Sequence, residues 1–144
     1  MAVASWNRLR FQLGRSWPDL LFIEELKKRQ GSALVFLPFP RATFKQTSVG
    51  YGWDKQFDAA LDGVEVVELA NEMPPKNKQP DAYVDCNRQI LDAALQKAKL
   101  FDQEPLLITV WNGNADEGAG GTAHAVRGWR EDGHAVDLID ISKL

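Results

Sequence analysis

The chain has 144 residues, 44% hydrophobic and 26% charged, which is the profile of one globular domain and excludes a fibrous or disordered protein. No apolar run approaches the ~20 residues that span a bilayer, and no secretory signal opens the sequence, so we expect a cytoplasmic protein without a membrane partner. The net charge of −3 argues against nucleic-acid binding through a broad basic face.

The first element in the chain is ambiguous. The apolar residues Leu9, Phe11 and Leu13 alternate with polar ones, which predicts a half-buried strand, whereas a short helix from Ala2 fits nearly as well. We favour the strand.

Strands and helices alternate along the rest of the chain. Three of the four apolar segments are nearly continuous, which is typical of parallel strands covered on both faces. The alternation predicts one α/β domain over residues 1–144, a Rossmann-like three-layer fold with a mainly parallel sheet of four to five strands. The predicted strands are residues 33–37, 64–69, 106–111 and 135–141, the predicted helices 17–30, 83–100 and 122–131, and the one long loop 72–81.

A glycine-rich turn joins the strand at 106–111 to the helix that starts at Thr122. Ligands of open α/β sheets bind at the carboxyl ends of strands, where glycines let backbone N–H groups approach a phosphate and the helix dipole adds to its attraction. The turn is neither a Walker loop nor a G-x-G-x-x-G fingerprint. From spacing alone, phosphate binding and a flexible loop with Thr122 as helix cap fit equally. The candidate ligand-binding residues here are Asn112, Gly113, Gly118, Gly120, Gly121 and Thr122.

Two parts of the chain resemble a known group of Rossmann-like domains. Residues 110–113 (VWNG), 118–123 (GAGGTA) and 136–140 (VDLID) resemble the C-terminal half of the SLOG superfamily. Residues 19–41 and 47–49 are similar to a branch found in bacterial signalling and defence proteins. The resemblance implies a sensor or sequestering module that binds a nucleotide-derived ligand, with its phosphate on residues 118–122.

The resemblance does not extend to a catalytic carboxylate. The related cytokinin-activating phosphoribohydrolases carry a glutamate two or three residues after the threonine of their glycine turn, and these positions fall on His124 and Ala125 here. We therefore assign no catalytic residue and favour binding over catalysis. A nucleoside or nucleotide N-glycosidic hydrolase or transferase remains the alternative, with Glu24, Asp116 or Glu117 as its carboxylate. A non-catalytic protein-interaction domain is the second alternative.

Phe39 and Arg41 follow the strand at 33–37, again at a carboxyl end. Arg41 is suited to clamp a phosphate and Phe39 to stack on a base, while the alternative is a rigid proline turn with Phe39 in the core. Cys86 and the two histidines lack metal-ligand spacing, so we predict neither a metal site nor a cofactor. Unpaired strand edges and the five tryptophans predict a homo-oligomer.

Overall fold

The structure is a computed structural model that describes residues 1–5, 10–13, 16–111 and 121–140. It confirms the mixed α/β class. The elements in chain order are β1 (Ala2–Ser5), β2 (Arg10–Leu13), α1 (Ser16–Lys28), β3 (Ala33–Leu37), α2 (Arg41–Ser48), α3 (Asp54–Leu61), β4 (Glu65–Glu68), a 3-10 turn (Lys76–Lys78), α4 (Gln79–Phe101), β5 (Leu106–Trp111), α5 (Thr122–Glu131) and β6 (Ala135–Asp140).

The strands form one six-stranded sheet in the order β4-β3-β1-β2-β5-β6. Strands β2 to β6 all run in the same direction, and β1 is antiparallel to both of its neighbours, β2 and β3. The sheet is thus mainly parallel, but it has more strands than the four to five predicted. The chain supplies its own central strand at Arg10–Leu13, and Ala2–Ser5 is a strand instead of the start of a helix.

Two hydrophobic cores lie on opposite faces of this sheet, because successive side chains of a strand point to opposite sides. On one face Phe36 of β3 packs against α4 and α5, in a cluster centred on Ile90 and Trp129. On the other face the neighbouring Val35 and Leu37 pack against α1, α2 and α3. The residues that those helices contribute there are Leu20, Ile23, Phe44, Phe57, Ala60 and Leu61. The sheet is therefore the middle layer between two layers of helices.

Three helical regions differ from the sequence prediction. Residues 72–81, predicted as a loop, contain the 3-10 turn and the beginning of α4, which starts at Gln79 instead of residue 83. Pro80 lies in the first turn of α4, where the missing N–H costs nothing because those donors have no partner within the helix. Helices α2 and α3 occupy residues for which no helix was predicted, and they bury Phe44 and Phe57.

Helix α4 is the longest described helix, with 23 residues. Its buried side chains, Cys86, Ile90, Ala94 and Ala98, recur at helical spacing and form a stripe that faces the sheet. Among the described residues, no helix combines the length and the apolar character that crossing a membrane requires.

Candidate functional site

The strand order changes direction between β2 and β5, at the carboxyl edge of the sheet. From β2 the chain continues through α1 to β3 in one direction, and from β5 it continues through α5 to β6 in the other. The two helices lie on opposite faces of the sheet. Such a divergence is a topological switch point, which is where open α/β sheets bind their ligands.

The start of α5 lies at this edge of the sheet, because α5 follows β5. Gly121 is the N-cap, with extended backbone angles (φ −76°, ψ 168°), and no side chain of the described residues caps the helix. The first backbone hydrogen bond of the helix runs from the Ala125 N–H to the Gly121 carbonyl at 3.2 Å. The N–H groups before Ala125 belong to the first turn, which carries the positive end of the helix dipole. Thr122 is buried, with 8% of its surface exposed.

Most of the predicted glycine turn lies outside the described residues. This applies to Asn112, Gly113, Asp116, Glu117, Gly118 and Gly120. Gly121 and Thr122 are described, and both lie where the sequence predicted, at the start of the helix that follows β5. The predicted start of this helix at Thr122 is confirmed.

Phe39 lies in the hydrophobic core instead of on a surface. Its side chain is 1% exposed, and its ring lies 5.7 Å from the ring of Phe44 and 6.0 Å from that of Tyr83, measured between centroids. A ring that is covered on all sides has no free face on which a base can stack. The structure therefore agrees with the alternative of a proline turn that anchors Phe39 in the core.

Arg41 is the first residue of α2, and its side chain is directed at α3. The guanidinium lies 3.6 Å from the Asp58 carboxylate and 5.7 Å from the centre of the Phe57 ring. Its backbone N–H donates to the Glu68 carboxylate at 2.7 Å. Lys45 also pairs with Asp58, and the two cations hold the pKa of that carboxyl below its usual value. The guanidinium and the backbone N–H of Arg41 thus both have partners within the protein.

The remaining candidates do not form a cluster. Glu24 is half-buried on α1, and Cys86 is a buried thiol whose Sγ lies 3.5 Å from the Phe36 carbonyl oxygen. Burial raises the pKa of Cys86 to about 11, so the thiol is protonated at neutral pH and unreactive. In the described part of the chain, no three His, Cys, Asp or Glu side chains come close enough together to hold a metal ion.

The residue that sequence reasoning missed is Asp19, in the first turn of α1. Its side chain is completely buried, and neither carboxylate oxygen has a hydrogen-bond partner among the described residues. Because α1 begins directly after β2, this turn lies at the same edge of the sheet as the start of α5. Sequence offers no signal for its burial, since an acidic residue in the first turn of a helix is ordinarily a solvent-exposed partner of the dipole.

Burial dominates the electrostatics of Asp19. It raises the pKa of the carboxyl from 3.8 to about 8, while the positive amino terminus on Met1 lowers it in part. The helix dipole favours the charged form by only about 0.3–1 kcal/mol, whereas burying an uncompensated carboxylate costs several kcal/mol. The Asp19 carboxylate also raises the pKa of Cys86 on α4, after the larger effect of burial.

Comparison with known proteins gives no match to a family model, to a curated protein or to a solved structure. The resemblance to SLOG domains therefore stays a prediction.

Proposed function

We propose that the protein binds a nucleotide-derived ligand at the switch point between β2 and β5, with its phosphate at Gly121 and Thr122 at the start of α5. The observation that carries the proposal is the start of α5 at the switch point of the sheet, where none of the described side chains caps the helix. When β1 is left out, the remaining order β4-β3-β2-β5-β6 corresponds to the 3-2-1-4-5 order of a Rossmann-like fold. The start of a helix at the carboxyl edge of such a sheet is in general a favourable place for a phosphate.

A sensor or sequestering module of bacterial signalling or defence fits this site best. The positions that carry the catalytic glutamate in related hydrolases hold His124, which is exposed, and Ala125, which is buried. We place the protein in the cytoplasm and propose that it forms homo-oligomers through the strands at the edges of the sheet, β4 and β6. The need for a partner is smaller than the sequence implied, because β2 fills the centre of the sheet.

The substitution Gly121→Val tests the proposed phosphate site. Valine adopts the extended backbone of this position without strain, and the poorer helix cap costs about 1 kcal/mol. Its branched side chain, however, keeps a phosphate away from the backbone. Saturation of the wild-type protein with AMP, at 100 times the Kd, should stabilise it by about 2.7 kcal/mol, roughly 5–10 °C in Tm. We expect this shift to disappear in the variant, as measured by differential scanning fluorimetry.

Gly128→Ala, in the same helix, is the matched control. A Cβ at Gly128 would meet no atom within 4 Å, and alanine is the better helix former, so this variant should be slightly more stable and should keep the AMP-induced shift. An undiminished shift in a folded Gly121→Val protein would contradict the proposed site.

The buried carboxyl of Asp19 favours a second candidate function, an N-glycosidic hydrolase or transferase. A carboxyl with a pKa of about 8 is protonated at neutral pH, as a general acid requires. We nevertheless expect no adenine to be released when the purified protein is incubated with AMP and the products are separated by chromatography. Steady adenine release by the wild type that is lost in Asp19→Asn would contradict the binding function and support the hydrolase.

A further inference from the structure

Strand β6 is the longer of the two edge strands of the described sheet. It has six residues, whereas β4 at the other end of the strand order has four. An edge strand presents a row of backbone N–H and C=O groups, which is a template for another strand. We propose that β6 pairs in antiparallel fashion with β6 of a second copy of this chain, with the two Leu138 residues opposite each other. This inference rests on the homo-oligomer of the proposed function and names the surface that forms it.

Strand β4 is less suited to pair with another chain. Its first and last residues, Glu65 and Glu68, are exposed carboxylates, and Glu68 accepts a hydrogen bond from the backbone N–H of Arg41. Short edge strands that carry charges are a common protection against pairing between chains. Strand β6, in contrast, exposes the apolar side chain of Ile139, with 47% of its surface accessible.

The side chains of β6 alternate between the two faces of the sheet. The even-numbered ones lie on the face that α5 covers, where Val136 packs against the cluster that contains Trp129. The odd-numbered ones, Ala135, Asp137 and Ile139, are exposed on the other face. A twofold axis perpendicular to the sheet keeps each face on its own side, so an exposed residue of one copy lies opposite an exposed residue of the other.

Charge selects between the two central registers that this symmetry allows. With Asp137 at the axis, two carboxylates would lie directly opposite each other, which destabilises the pair. With Leu138 at the axis, Asp137 of each copy lies opposite Ile139 of the other, and the two leucines meet on the face of α5. The second register therefore avoids the repulsion.

The same register brings opposite charges together, which favours a second copy over an unrelated strand. Antiparallel pairing places Asp140, at the end of one β6, beside the start of the other. The hydrogen bond from Trp129 Nε1 to the Ala135 carbonyl holds the last turn of α5 at that start. The basic residue of this turn, Arg130, is exposed. Asp140 of one copy thus lies on the same face as, and close to, Arg130 of the other.

Two substitutions of Ile139 test the surface and the register together. Ile139→Glu places a second carboxylate opposite Asp137 at two symmetry-related positions, whereas Ile139→Lys places a cation there. Because Ile139 is exposed, both variants should fold, which circular dichroism checks. We expect Ile139→Glu to raise the dimer Kd by roughly 10-fold or more and Ile139→Lys to leave it close to the wild-type value. Sedimentation velocity over a dilution series measures the Kd.

Glu65→Lys is the matched control, because it changes an exposed charge on the opposite edge strand, and it should leave the dimer Kd unchanged. A dimer that Ile139→Glu does not weaken, or that both Ile139 variants weaken equally, would overturn the proposal and leave homo-oligomerisation standing. A wild-type protein that is monomeric at every concentration would overturn both. Neither result bears on the AMP-induced shift, which tests the nucleotide site separately.

Oxidation of a Leu138→Cys variant gives a second measurement that does not depend on the Ile139 variants. Directly opposite residues of an antiparallel pair have Cα atoms about 4.5–5.5 Å apart, which is within the range of a disulfide. The natural Cys86 is buried and does not compete. We expect a covalent dimer on non-reducing electrophoresis, and a chain that stays monomeric after oxidation would contradict the proposed register.

Discussion

Asp19→Asn is expected to stabilise the protein by several kcal/mol at pH 9 and by much less at pH 5. The carboxyl titrates near 3.8 when exposed in the unfolded chain and at about 8 in the folded one. Between these values the folded state holds a proton that the unfolded state has lost, so the stability of the wild type falls as the pH rises from about 4 to about 8. Asparagine does not titrate, so the stability of the variant does not fall with pH for this reason.

Urea unfolding of both proteins at pH 5, 7 and 9 measures the difference. The other described titratable groups that interact with Asp19, the amino terminus on Met1 and the Cys86 thiol, are present in both proteins. Glu25→Gln serves as control, because Glu25 is an exposed carboxylate of the same helix, and its effect should be small at every pH. A stability difference between wild type and Asp19→Asn that stays constant from pH 5 to pH 9 would show that Asp19 is not buried as a titrating group.

Trp129→Ala is expected to destabilise the protein by about 3–5 kcal/mol. Trp129 is 2% exposed. It lies between α5 and the sheet and packs in the hydrophobic cluster that contains Ile90 and Leu107. Its indole Nε1 donates to the Ala135 carbonyl at 2.9 Å, and its ring lies 4.3 Å from that of His134, measured between centroids. Removal of the ring leaves a cavity and takes the indole donor from the Ala135 carbonyl.

Trp129→Phe separates these two contributions, because it keeps most of the apolar contact but lacks the donor. Trp129→Phe should therefore lower the free energy of unfolding by less than Trp129→Ala does, as measured by urea unfolding at one pH. The exposed neighbour Arg130 provides the control, and Arg130→Ala should change the stability little. Equal losses in Trp129→Ala and Arg130→Ala would contradict the packing of α5 described here.

The sequence predicted the elements whose local pattern and tertiary environment agree. Strands β3 and β5 have the predicted bounds, because both are apolar runs that end at prolines or polar residues. Helix α5 also has the predicted bounds. Its end is marked by Gly133, whose φ of +83° lets the chain turn from the helix into β6.

The elements that were missed carry weaker or conflicting signals. Pro38 and Pro40 indicated a turn, and Pro40 is also the N-cap of α2, which follows that turn directly. Strand β1 has only four residues, too few for a periodic pattern, and it is set by its pairing with β2 and β3. Asp19 could not be recognised because its burial results from packing between layers of the fold.

The nucleotide site at the start of α5 is tested most directly by NMR titration of ¹⁵N-labelled protein with AMP. We expect saturable shifts of the backbone amides of Gly121 and Thr122 and of those in the first turn of α1. The amides of Gly63 and Gly133, which precede β4 and β6 at the opposite edge of the sheet, should not move. The absence of shifts at Gly121 and Thr122 with millimolar AMP, or shifts confined to another part of the chain, would contradict the proposed site.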